Sequence, residues 1–197
     1  MPRRSSLVAV LLLVAACGSP PPMPAADYFP AVETELARLD QATRDLTDRY
    51  AAELEAEIET LVADSESSEE GSRDRIATEA ISMAATKMQA VIESHIGQVE
   101  VFAIRVGDLV PPEVVGKRHT ELVDAFRGWA ESGATTITQL GTAADLHSLA
   151  VTLQQSPYAD AQLRVDEACR GLLDNAAAVG VVLTCPGSEL EPLQVGR

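Results

Sequence analysis

The feature that most constrains this chain is an unbroken apolar stripe near its N-terminal end. Phe29, Val32, Leu36, Leu39, Thr43, Leu46, Tyr50, Leu54, Ile58 and Leu61 follow one another at steps of three and four, with Thr43 the one weak member. That spacing keeps one face of an α-helix apolar for about nine turns. No Gly or Pro interrupts residues 31–64, so a helix of about 34 residues and about 50 Å is expected. Asp27 suits its N-cap and Pro30 its first turn, where a missing N–H costs nothing. Ser65 to Ser72, a polar acidic run with one glycine, reads as the turn that follows.

A second helix is expected from Arg73 to Asp108, on a stripe of Ile76, Ala80, Met83, Met88, Val91, His95, Val99, Phe102 and Val106. Val110-Pro111-Pro112 stops it, because a residue before proline disfavours the α conformation. A third helix carries Val115, His119, Leu122, Phe126 and Trp129 and is expected to end at Gly133. A fourth is expected from Ala134 to Gln155, with Gly141 its weakest point, and a fifth from Pro157 to Gly180. Val181 to Thr184 is apolar enough for a strand, but no other segment alternates as a partner would. The chain therefore reads as all-α: an antiparallel bundle of about five helices whose long N-terminal hairpin, coiled-coil-like, outreaches the other three.

The first twenty residues have a different character. Arg3 and Arg4 precede the apolar run Leu7 to Val14, and Val14-Ala15-Ala16-Cys17 closes the segment. The run is too short to span a bilayer, which takes about 20 residues, and its order is that of a secretory signal. With Cys17 directly after two small residues, the segment resembles a bacterial lipoprotein signal with its lipobox. The resemblance implies cleavage after Ala16, a diacylglyceryl group on the Cys17 thiol and an amino terminus open to further acylation. Several acyl chains anchor a protein stably where one does not. Residues 1–16 would then be the cleaved signal peptide, 17–26 the lipidated cysteine with a Pro-rich tether of about 30 Å, and 27–197 the helical domain. The expected location is the cell membrane, lipid-anchored on its extracytoplasmic side. Gly18 stands where an inner-membrane retention signal has Asp, which leaves the outer membrane open for a host that has one.

Charge narrows the partners. Thirty Asp and Glu against 15 Lys and Arg give a net charge of −15; without residues 1–16 the balance is 13 against 30, or −17. A chain so acidic lacks the positive surface that phosphate backbones require, so nucleic acid is excluded as a general partner. Residues 27–70 hold 14 acidic and three basic side chains, most of the imbalance. A solvated helix face explains them; an acidic arm that recruits a basic partner is the functional alternative.

Little in the chain reads as chemistry. With Cys17 lipidated, Cys169 and Cys185 form an even pair in an oxidising compartment. A structural disulfide is expected, with two free thiols or a redox pair as alternatives, although a redox pair would favour closer C-x-x-C spacing. His95, His119 and His147 fall on three different helices without a metal-binding spacing such as H-E-x-x-H, which makes them weak metal candidates. Pro111-Pro112-Glu113, His119 and the Leu122/Phe126/Trp129 stripe suggest a ligand groove around His119 and Trp129, against a plain reading as helix start and core. No nucleophile elbow, P-loop or dinucleotide fingerprint is present. No cofactor is implied, and a non-enzyme is expected. The layout of anchor, long helical pair, Pro-Pro, His-bearing helix and C-terminal cysteine pair resembles a loose class of uncharacterised bacterial lipoproteins, and this resemblance brings no activity with it. Two functions remain: envelope protein interaction without catalysis, and a solute- or metal-binding accessory lipoprotein whose small ligand is unknown.

Overall fold

A computed structural model describes residues 20–66 and 73–186. The expected signal peptide 1–16, Cys17 and most of the Ser65–Ser72 turn lie outside the described residues. The protein is all-α. Helix α1 spans Ala25–Glu66, α2 Arg73–Gly107, α3 Gly116–Leu140, α4 Leu146–Gln154 and α5 Pro157–Ala177, with a 3-10 turn at Glu113–Val115. No helix among the described residues is long and apolar enough to cross a membrane.

Cross-helix contacts give the direction of each neighbour. Glu35 meets Arg105, Ala42 meets Gln98, Thr43 meets His95 and Glu53 meets Lys87, so α1 and α2 run antiparallel. Val123 lies near Gly107 and Gly133 near Ile96, and the same reasoning makes α3 antiparallel to α2. Arg118 beside Gly171 and Trp129 beside Tyr158 reverse α5 against α3. The result is an up-down-up-down four-helix arrangement with α4 as a short linker helix.

The main core fills the end nearest residue 25. Tyr28, Phe29, Val32 and Leu36 of α1 meet Val99, Phe102 and Val106 of α2, Leu122 and Phe126 of α3, and Val165, Cys169 and Leu172 of α5. A smaller cluster joins Ala85 and Ile92 of α2 to Leu140 and Leu149. Beyond Leu46 no described side chain of α1 is fully buried, nor is one of α2 before Ala85. Among the described residues, no third element covers the two helices of the distal hairpin.

Several boundaries differ from the expected ones. Helix α1 starts at Ala25 and runs for 42 residues, about 63 Å at ~1.5 Å per residue, with Asp27 inside its first turn. Met23 packs against the core and its N–H donates to the Val110 carbonyl at 2.9 Å, so the Pro-rich segment is already held to the body at that point. Gly133 does not end a helix. It lies buried in the middle of α3, where an added Cβ would stand 2.3 Å from Ile96 Cδ1. The glycine lets two helices approach closely, a packing role that outweighs its poor helix propensity. The break comes at Gly141–Asp145 instead, where Asp145 accepts from the Ser148 N–H and Ser148 Oγ accepts from the Asp145 N–H, a reciprocal cap that starts α4. Ser156 caps α5 one way, its hydroxyl accepting from the Ala159 N–H at 3.2 Å, with Pro157 in the first turn.

Candidate functional site

The lone polar member of the α1 stripe locates the middle of the site. Thr43 donates its hydroxyl hydrogen to the Leu39 carbonyl at 2.8 Å, so its oxygen is left to accept from His95 Nε2 at 3.1 Å. His95 Nδ1 then serves as the acceptor for the Tyr158 hydroxyl of α5. One buried imidazole thus links α1, α2 and α5, as the Nε2–H tautomer. The Trp129 ring of α3 lies edge-on to His95 at 4.8 Å and 5.5 Å from the Tyr158 ring. Trp129 Nε1 is buried without a hydrogen-bond partner among the described residues.

Burial sets the titration of this cluster. The His95 imidazole is pushed down to about 4, and the Tyr158 phenol is pushed up, because a low-dielectric surrounding disfavours each charged form. In the unfolded chain a histidine takes up its proton near 6.5. The stabilising contribution of neutral His95 is therefore complete above about pH 6.5 and is lost as pH falls toward 4. His119, also lowered by burial, acts in the same direction. Acidification relieves the self-repulsion of an acidic chain, an opposing effect that a variant at one position shares. Between pH 7.5 and 5, thermal melts should thus show the His95→Gln protein losing less stability than the wild type; equal slopes would refute the assignment.

The three histidines do not converge. His119 is buried at the other end of α3, with Nδ1 3.1 Å from the Tyr28 hydroxyl, whose phenol burial raises to about 12. His147 is exposed on α4. Among the described residues no group of three or more His, Cys, Asp or Glu is placed to hold a metal ion. Nor do His119 and Trp129 share a groove: Trp129 borders a cavity with His95, while His119 does not line it.

The two cysteines do come together. Cys169 and Cys185 form a disulfide with their Cα atoms 5.7 Å apart. After Gly180, whose φ of 77° favours glycine, the segment from Val181 turns back along α5. Thr184 reaches across to α1, its N–H donating to Glu33 Oε2 at 2.9 Å and its hydroxyl to Oε1 at 3.3 Å. Residues 181–185 thereby form a strap that fastens α5 to α1 at one end. Just beyond it the α1–α5 seam opens into a cavity of about 380 Å³, bordered by Leu39, Asp40 and Asp48 of α1, Trp129, Gln162 of α5 and Pro186. The strap's fastening to α1 through Glu33 and the His95–Thr43–Tyr158 linkage were not anticipated from the sequence; Thr43 and His95, polar on apolar stripes, were the visible signs.

Fold and site together define a four-helix bundle with an extended two-helix arm, a buried histidine linkage and a disulfide-fastened strap beside an open seam. Comparison with protein-family models, with curated proteins and with solved structures found no match.

Proposed function

We propose that the protein is a lipid-anchored, extracytoplasmic helical protein that acts without catalysis, by docking a partner helix on its distal hairpin in the cell envelope. The observation that carries this reading is an exposed apolar pair on the described part of the hairpin. Ile58 and Val62 stand one helical turn apart on α1 and are 43% and 51% exposed. Exposed apolar pairs at this spacing are anchor points for a helix laid alongside.

Charge favours a basic partner over a second copy of the chain. Residues 45–93 hold 13 acidic and four basic side chains, so two such arms repel each other, whereas a Lys/Arg-rich amphipathic helix gains from the same field. The anchor rests on the lipobox resemblance at Cys17. With Met23 held at Val110, five residues separate it from Cys17, about 15 Å of polyproline-type chain. The core end of the bundle would then sit near the lipid, and the arm would extend outward by the length of α1. The commitment of both His95 ring nitrogens to structural hydroxyls supports the non-catalytic side of the reading. A solute-binding role is a second reading, favoured by the open α1–α5 seam.

A photocrosslinking residue at Val62, in the full-length chain in its native envelope, tests the docking face. Leu163, 69% exposed on α5, is the control position. Crosslinks from position 62 are expected to map to a basic amphipathic helix of one envelope protein. Equal yields at 62 and 163, or no adduct at 62, would contradict the reading.

A further inference from the structure

We infer that the open seam between α1 and α5 is a binding site for a small, compact apolar molecule bearing one amino group. The packing of the bundle creates the space. Helix α1 packs along α2, α2 along α3 and α3 along α5, while α1 and α5 make no comparable contact. Among the described residues the α1–α5 seam is open beyond the strap, and a groove of about 350 Å³ also runs along the surface between α1 and α2. The α1–α5 opening's volume of about 380 Å³ lies in the range of small-molecule sites, ~300–1,000 Å³.

The lining selects the ligand. The walls contributed by Leu36, Leu39, Trp129 and Pro186 suit an apolar body. At the rim, Asp40 is ion-paired with Arg44 at 2.8 Å, whereas the Asp48 carboxylate has no ion-pair partner among the described residues. Among the described residues the rim thus carries two carboxylates against the one guanidinium of Arg44, on a chain whose net charge is −15. That field draws an ammonium group in and turns a carboxylate away. The site is separate from the hairpin face, and neither inference depends on the other.

Trp129 is the sole tryptophan of the chain and borders the cavity, so its emission reports on this one position. The probes are 1-adamantanamine, 1-adamantanol and 1-adamantanecarboxylate, which share one apolar cage and differ in charge. Added to the full-length protein in detergent, the amine should change Trp129 emission saturably, the alcohol should bind more weakly and the carboxylate weakest. Asp48→Asn should weaken the amine about two- to fivefold, as expected for one exposed charge pair, and leave the alcohol unchanged. Thr47 is exposed at the mouth, so Thr47→Phe should block all three probes while the protein melts as the wild type does. Equilibrium dialysis of the amine measures binding that leaves emission unchanged. No saturable uptake of the amine in dialysis, equal affinity for amine and carboxylate, or undiminished binding to a folded Thr47→Phe protein would each overturn the proposal. If Thr47→Phe fails to fold, the comparison of Asp48→Asn with wild type decides it: an unchanged amine affinity overturns the assignment.

Discussion

Replacing Phe126 with Ala is expected to cost about 3–5 kcal/mol of folding stability, the range for a fully buried phenylalanine truncated to leave a cavity. Phe126 has no exposed surface. Its ring lies 4.1 Å from that of Phe102 on α2 and 6.1 Å from that of Trp129. It sits on α3, the helix packed on both α2 and α5, so the void opens where the bundle is joined and cannot be filled by a loop moving in. For a domain of this length each kcal/mol shifts the midpoint by about 2–4 °C, and a fall of roughly 10 °C is expected by circular dichroism. Leu163→Ala, at an exposed position, should change stability by less than about 0.5 kcal/mol. A Phe126→Ala protein that melts with its control would mean that the main core is not where it is described.

Loss of the disulfide is the second large effect. The bridge closes a loop between residues 16 apart, for which chain entropy alone gives about 3 kcal/mol. Its structural consequence is local. Without Cys185 fastened to Cys169, the strap keeps the Thr184–Glu33 hydrogen bonds, the Val181 N–H bond to the Ala176 carbonyl and the burial of Leu183. Cys169→Ala/Cys185→Ala should therefore melt earlier and be cut by protease near Val182, which is 82% exposed, faster than the oxidised protein. Wild type treated with reductant should behave in the same way. An unchanged midpoint together with unchanged cleavage would show that the strap is held by other contacts.

The long helices were legible because an amphipathic stripe with no Gly or Pro admits few other folds. Gly133 was misread for a physical reason. Local propensity makes a mid-pattern glycine look like a terminus, whereas the close approach of Ile96 is a property of two helices that sequence spacing does not show. The true break used the Asp145/Ser148 cap, four residues after Gly141, instead of the glycine itself. The cysteine pair was legible from number and context.

The site was harder to read. His119 and Trp129 lie on one stripe, but ten residues of helix separate them by about 15 Å. His119 consequently pairs with Tyr28, and Trp129 meets His95. Which helix pairs touch, and which seam stays open, depends on packing between segments as far apart as Thr43 and Gln162. The strap's attachment to α1 has no periodicity to reveal it and rests on one glutamate.

The proposed arm has a surface to extend from only if Cys17 is the anchor, and the mass of the N-terminal peptide taken from the native membrane fraction measures this directly. The account predicts a chain that begins at Cys17 with a thioether-linked diacylglyceryl group on its sulfur. A mature chain that still begins at Met1 with a free Cys17 thiol, or one cleaved so that Cys17 is lost, would contradict it.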